Sequence, residues 1–151
     1  IDPLLVGCFV YRLIHFMAKD ELFRFAPLGI FLKNLGAFPV KREAIDISSI
    51  KTALSLLREG KILGIYPEGT RRKPGQEIKL KSGIAMLASK AEVPLVPVAI
   101  AGNYKLFSTM IVRFGKPFEL NETYVKKHSQ EGLAEVTKQI MKKVEDLMGV
   151  S

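Results

Sequence analysis

Short apolar segments alternate with amphipathic segments along this 151-residue chain, and the alternation restricts its fold more than any other feature. Residues 46–58 carry apolar side chains at helical spacing, with Asp46 as a candidate N-cap and Gly60 just past the last turn. We predict a short buried strand at residues 61–66, which stops at Pro67. Strands and helices in this order are typical of an α/β domain, in which helices cover a central sheet.

The second half of the chain continues the pattern. We predict a small-residue helix at Gly83–Ala91, strands at 95–101 and Met110–Phe114, and an amphipathic C-terminal helix at 129–148. We therefore expect a single α/β domain with a mixed central β-sheet flanked by helices. No uncharged stretch reaches the roughly 18 apolar residues that a membrane-spanning helix needs, so no such helix is expected within 1–151.

The chain is basic, with 23 Lys and Arg against 15 Asp and Glu and a formal net charge of +8 at pH 7. Such a surplus favours an anionic partner. Charge alone does not decide whether that partner is nucleic acid, a phosphorylated substrate or an anionic membrane. The single cysteine, Cys8, cannot form an internal disulfide and fits a reducing compartment. With two histidines, His15 and His128, beside it, a dedicated zinc site is not expected.

The most basic segment, 67–83, lies between a predicted strand and a predicted helix. Ligands of α/β proteins bind beyond the carboxyl ends of strands, so we expect a phosphate near this segment. The alternative is a solvated basic loop, which charge alone favours.

The most specific string in the chain is Tyr-Pro-Glu-Gly-Thr-Arg at 66–71. It puts a carboxylate, a glycine, a hydroxyl and a guanidinium on one turn. Arg71 can bind phosphate through two N–H groups, and Glu68 can accept a hydrogen bond from a hydroxyl. This combination suits a molecule that carries both phosphate and hydroxyl groups. The alternative is a surface turn in which Glu68 pairs with Arg71.

Two other patterns do not support a site. Residues 64–70 have the glycine spacing of a nucleotide phosphate-binding loop, but Thr70-Arg71 stands where that loop requires Lys and then Ser or Thr. His15 and Asp20 have the H-x-x-x-x-D spacing of a catalytic His–Asp pair. Because the pattern specifies only two residues, sequences match it often by chance. We predict that His15 enters a helix and has no catalytic role.

Four blocks, in sequence order, resemble those of the glycerolipid acyltransferases, specifically the bacterial-type lysophosphatidate acyltransferases. They are Phe-Met-Ala-Lys-Asp-Glu-Leu-Phe at 16–23, Gly-Ala-Phe-Pro-Val-Lys-Arg at 36–42, Pro-Glu-Gly-Thr-Arg at 67–71 and Val-Pro-Leu-Val-Pro-Val at 93–98. The resemblance covers nearly the whole chain to about residue 120 and implies a glycerol-3-phosphate acyltransferase-like α/β fold.

The first motif of that family pairs a histidine with an aspartate five positions later, followed by proline. Only its tail matches here, as Asp2-Pro3. The resemblance implies that Asp2 is the motif aspartate and that the base histidine precedes Ile1. Residues 1–151 would then be an acyltransferase domain cut within its first motif, and we expect such a fragment to be inactive.

The resemblance also implies the reaction: transfer of a fatty acyl group from acyl-CoA or acyl carrier protein to the free hydroxyl of 1-acyl-glycerol-3-phosphate. No cofactor or metal is implied, because the acyl thioester is a co-substrate. The implied acceptor-binding residues are Lys19, Arg42 and Arg71 at the phosphate, with Glu68, Gly69 and Thr70 at the polar end. Lys19 as a plain surface lysine and Arg42 as a structural ion-pair residue remain alternatives.

The implied partners are lysophosphatidate, the acyl thioester and an anionic membrane, with the protein peripheral or anchored at the cytoplasmic face. Three alternatives stay open: another acceptor, such as glycerol-3-phosphate or a lysophospholipid; a non-enzymatic lipid or acyl binder; and a nucleic-acid-binding module. The last is disfavoured because no aromatic residue is interleaved with the basic cluster at 71–81, so no nucleic acid is expected as a partner.

Overall fold

The computed structural model describes residues 2–41, 46–66, 83–102, 108–120 and 130–149. The chain forms two compact units, Ile1–Ile65 and Tyr66–Ser151. The first contains α1 (Asp2–Cys8), β1 (Ile14–Lys19), a 3-10 helix (Asp20–Phe23), α2 (Ala26–Asn34), β2 (Ala37–Val40), α3 (Ile47–Arg58) and β3 (Ile62–Gly64). The second contains α4 (Gly83–Ala91), β4 (Val98–Gly102), β5 (Met110–Phe114) and α5 (Gln130–Met148).

The first unit is built on a parallel sheet with the strand order β2-β1-β3. Lys19 at the end of β1 lies opposite Val40 at the end of β2. Gly64 at the end of β3 lies opposite Phe16, three residues earlier in β1. All three strands therefore point their carboxyl ends to the same edge of the sheet.

The helix α3 has the termini that its sequence predicts. Asp46 is the N-cap, and its side chain accepts hydrogen bonds from the backbone N–H groups of Ser48 and Ser49. Gly60 follows the helix with a φ of +70°, in the left-handed region that glycine adopts at little cost.

The second unit pairs β4 with β5 in an antiparallel sheet, and α5 packs against both strands and against α4. Its hydrophobic core contains the buried side chains of Ala85, Val136 and Ile140. The observed α5 agrees with the amphipathic helix predicted at 129–148, and β5 has the predicted bounds.

Two predicted strands are shorter in the structure. The run at 61–66 forms a strand only at Ile62–Gly64. The run at 95–101 forms regular ladder only from Val98, because Pro97 has no N–H to donate. Before it, Leu95 forms an isolated bridge with Phe118, with backbone hydrogen bonds of 2.8 and 2.9 Å.

The predicted α/β class and the mixture of parallel and antiparallel pairing are confirmed. Among the described strands these pairings lie in two sheets, one in each unit, where one central sheet was expected. None of the helices in the described parts of the chain combines the length and apolar character that a bilayer crossing requires.

Candidate active site

The carboxyl edge of the parallel sheet is the part of the first unit where a ligand is expected. With the order β2-β1-β3, the chain runs from β1 to β2 on one side and then crosses to β3 on the other. In open α/β sheets, ligands bind outside the carboxyl ends of the strands at such a reversal of strand order. Lys19 is the last residue of the central strand and is exposed at this edge.

Lys19 forms an ion pair at that edge. Its Nζ lies 2.8 Å from Oε1 of Glu21, and 47% of its side chain is exposed. The hydrogen bond from Lys19 is the largest of the effects that lower the pKa of Glu21 to about 2. The pair is therefore charged at neutral pH, and the ammonium group keeps solvent-accessible surface that an anion can approach.

Asp2 is the first residue of α1 and is half-buried in the first helical turn. It belongs to the same unit as Lys19, one element earlier in the chain. The other predicted site residues lie outside the described residues: Arg42, Glu68, Gly69, Thr70 and Arg71. Within the described ranges, no group of three or more His, Cys, Asp or Glu side chains could hold a metal ion.

The prediction that His15 enters a helix is wrong. His15 is the second residue of β1, and its Nδ1 lies 3.0 Å from the carbonyl oxygen of Gly36. An extended strand rises about 3.3 Å per residue, so His15 lies roughly 13 Å from Lys19 along β1. Asp20 follows Lys19 and pairs with Arg24 at 3.6 Å. The two residues of the H-x-x-x-x-D spacing therefore do not form a His–Asp pair.

Two contacts near the site were missed by sequence reasoning. One is Glu21 as the partner of Lys19; its signal was an acid two residues after the lysine. The other is a hydrogen bond of 3.0 Å from the backbone N–H of Lys41 to Oδ2 of Asp46, a residue predicted only as a helix cap. Only the helix-capping half of its role has a sequence signature.

Comparison with known proteins identifies the family. A sequence model of the acyltransferase family matches residues 1–101. The chain belongs to the acyltransferase family. The matched region contains the whole first unit and Lys19 at its candidate site.

Two relatives of this acyltransferase are named 1-acyl-sn-glycerol-3-phosphate acyltransferase. The protein from Bacillus subtilis is 40% identical over 147 residues, which cover 94% of this chain and 72% of the relative. The protein from Streptococcus pneumoniae is 31% identical over 131 residues, covering 83% of this chain and 47% of the relative. The chain thus spans most of the first relative and about half of the second.

A solved structure supports the fold. The crystal structure of the 1-acyl-sn-glycerophosphate (LPA) acyltransferase PlsC from Thermotoga maritima matches with a TM-score of 0.61 at 24% identity. The match covers 91% of this acyltransferase and 58% of the Thermotoga chain. The expected α/β acyltransferase fold is confirmed.

Proposed function

We propose that this acyltransferase moves a fatty acyl group from an acyl thioester to the free hydroxyl of 1-acyl-glycerol-3-phosphate, giving phosphatidate. The observation that carries the proposal is the position of Lys19 at the carboxyl end of the central parallel strand, where a phosphate can reach it. The relatives from Bacillus and Streptococcus bear the name of this activity. A cation in this place suits an acceptor that carries phosphate.

The proposed chemistry is direct transfer to the acceptor. The acceptor hydroxyl gives its proton to the histidine that the family motif places five positions before Asp2, and its oxygen bonds to the thioester carbonyl carbon. The C–S bond then breaks, and the departing thiolate takes the proton from the imidazolium. Asp2 fixes the histidine tautomer and offsets the imidazolium charge. The thioester, on CoA or acyl carrier protein, is a co-substrate, and the reaction as written uses no cofactor or metal ion.

We assign Lys19, Arg42 and Arg71 to the phosphate of the acceptor, and Glu68, Gly69 and Thr70 to its polar end. Of these residues, Lys19 lies in the described part of the chain. Glu21 already pairs with Lys19, but the ammonium group has three N–H donors and can bind a phosphate beside this carboxylate. A doubly charged phosphate attracts the ammonium more strongly than one carboxylate does.

The structure offers a matched control for Lys19. Lys61 forms a similar ion pair, with Nζ 2.7 Å from Oε2 of Glu59, and its side chain is also 47% exposed. Lys61 directly precedes β3, at the amino edge of the same sheet. Lys19→Gln is expected to lower kcat/KM for lysophosphatidate by about tenfold or more, since a charged hydrogen bond contributes roughly 1.5–3 kcal/mol. Lys61→Gln is expected to leave it within about twofold.

The measurement is thiol release from acyl-CoA by the full-length protein with a panel of acceptors. Lysophosphatidate is expected to be preferred over glycerol-3-phosphate and lysophosphatidylcholine. Equal effects of the two lysine substitutions, or a Lys19→Gln defect confined to the KM of the acyl donor, would reject the phosphate role of Lys19. Preference for another acceptor would reject lysophosphatidate as the substrate, while the proposed acyl-transfer chemistry would still stand.

An exposed apolar face of α2 supports an anionic membrane as a further partner. Gly29 lies on the buried side of α2, where an added Cβ would be 2.8 Å from the backbone oxygen of Phe23. The apolar side chains of Leu28, Ile30 and Phe31 are exposed, the last two by 63% and 57%. We propose that this face of α2 inserts into the headgroup region of a bilayer. A protein attached peripherally at the cytoplasmic face of a membrane would have access to both a bilayer-resident acceptor and anionic lipids.

Substitution of the apolar face tests this partner. Ile30→Ser with Phe31→Ser is expected to lower binding to phosphatidylglycerol vesicles about ten- to a hundredfold, since each lost side chain removes about 1 kcal/mol or more of apolar burial. Leu13→Ser is the control, because Leu13 is also 57% exposed but precedes β1 at the amino edge. Unchanged vesicle binding would refute the proposal. A lower unfolding temperature or a changed oligomeric state of the double variant, with vesicle binding intact, would assign the face to a protein contact.

A further inference from the structure

We propose that Asp46 is a positioning residue for the acceptor site, because its carboxylate ties the carboxyl end of β2 to the first turn of α3. The inference rests on the proposed function, since it concerns the edge of the sheet at which we place the acceptor phosphate. It extends that function to a residue that neither binds substrate nor takes part in proton transfer.

The two oxygens of Asp46 have separate partners. Oδ1 accepts hydrogen bonds from the backbone N–H groups of Ser48 at 3.1 Å and Ser49 at 3.2 Å, and from the hydroxyl of Ser48 at 2.6 Å. Oδ2 accepts a hydrogen bond from the backbone N–H of Lys41 at 3.0 Å. One side chain therefore joins the strand and the helix.

The Lys41 contact lies next to the candidate site. Lys41 directly follows Val40, and Val40 lies opposite Lys19 in the parallel pairing of β1 and β2. Asp46 therefore fixes the backbone at the point where β2 leaves the sheet beside Lys19. Residues 42–45, which connect the two ends of this hydrogen bond, lie outside the described residues.

A helix cap alone does not require a carboxylate at this position. Asn and Ser cap helices about as well as Asp, because capping needs a single acceptor oxygen. The second oxygen of Asp46 instead reaches back across five residues to the strand. The hydroxyl of Ser48 and then the backbone N–H groups of Lys41 and Ser49 hold the pKa of Asp46 well below its usual range, so both oxygens are acceptors at neutral pH.

Two substitutions separate positioning from capping. Asp46→Asn keeps one acceptor oxygen for the cap but turns an N–H donor toward the N–H of Lys41, so the link to β2 is lost. Asp46→Ala loses both the helix cap and the link to β2. We expect the acceptor KM to rise about two- to tenfold in both variants, the range for one hydrogen bond. The donor KM is expected to stay within about twofold, and the urea midpoint of Asp46→Asn is expected to lie closer to the wild type than that of Asp46→Ala.

The outcomes of this test are distinct. A wild-type acceptor KM in Asp46→Asn, or a rise only in the unstable Asp46→Ala, would show that Asp46 is a helix cap alone and would overturn the inference. A rise in the donor KM of the same size as in the acceptor KM would also overturn it. If the wild-type protein acylates other acceptors but not lysophosphatidate, the proposed substrate is rejected. This result is obtained with the wild type alone, before any Asp46 variant is compared.

Discussion

Gly64 ends β3 next to the ring of Phe16, and replacing it with alanine tests how closely β1 and β3 pack. A Cβ at position 64 would lie 2.2 Å from Cε1 and 2.6 Å from Cδ1 of Phe16. Carbon atoms pack best at about 3.5–4.0 Å, so the ring or the strand must move by more than about 1 Å. Overpacking of this kind costs about 1–3 kcal/mol.

The assay is urea unfolding followed by far-UV circular dichroism, since the chain contains no tryptophan. Gly7→Ala is the matched control, because nothing lies within 4 Å of a Cβ added at Gly7 in α1. It is expected to be neutral or stabilising by up to about 1 kcal/mol. In a Phe16→Leu background the cost of Gly64→Ala should fall, because the overlapping ring is gone. An equal cost in both backgrounds, or no cost in either, would refute the packing argument.

Two further predictions concern stability. Ile140→Ala in the core of the second unit should lower the free energy of urea unfolding by about 2–5 kcal/mol, since Ile140 is 4% exposed. Ile111→Ala is the control and should cost about 1 kcal/mol or less, since Ile111 is 46% exposed. Equal costs would contradict the assignment of the core. The folded-state pKa of Asp46 is lowered, so its carboxylate stabilises the protein above the unfolded pKa of about 3.9, and that stabilisation is lost as the pH falls below it. The stability advantage of the wild type over Asp46→Asn should therefore begin to shrink as the pH falls from about 5 and should continue to shrink below about pH 3. Urea midpoints that stay parallel from about pH 5 down to below about pH 3 would exclude the effect.

The elements that could be predicted from the sequence are those whose signals are local. The cap at Asp46 and the turn at Gly60 each depend on a few neighbouring residues, and both predictions are confirmed. The strand at His15 was not predicted, because six residues with aromatic neighbours carry no periodicity that separates a short strand from a helix start. The break at Pro97 follows from the missing N–H of proline, which is apparent from the sequence alone.

The contacts between elements could not be predicted. The overlap of Gly64 with Phe16 depends on the register of β3 against β1, which is set by the strand order of the folded sheet. The link from Asp46 to Lys41 depends on the path of the chain between a strand and a helix. Residue types and family motifs identify candidate groups for chemistry, but the groups that hold them in place are apparent only once the strands are paired.

The family match and the core of the second unit overlap along the chain. The matched region, 1–101, contains the parallel sheet and Lys19, and it ends inside β4. Beyond it, α5 supplies Val136 and Ile140, which cover Ala85 of α4. Arg113 of β5 also donates a hydrogen bond of 3.2 Å to the carbonyl oxygen of Leu147, which places a cation at the carboxyl-terminal end of α5.

The different burial of Ile140 and Lys19 explains why substitutions at the two positions should behave differently. Ile140 contributes burial to the second unit, so its loss lowers the amount of folded protein and leaves the acceptor KM of the folded fraction unchanged. Lys19 is exposed and contributes little to folding, since an exposed ion pair is worth about 1 kcal/mol or less. If Lys19 binds the acceptor phosphate as proposed, its loss is expected to raise the acceptor KM and to leave the folded fraction intact. The core positions of α5 are thus expected to tolerate substitutions that conserve volume and apolar character, whereas the proposed phosphate role of Lys19 requires a positive charge at that position.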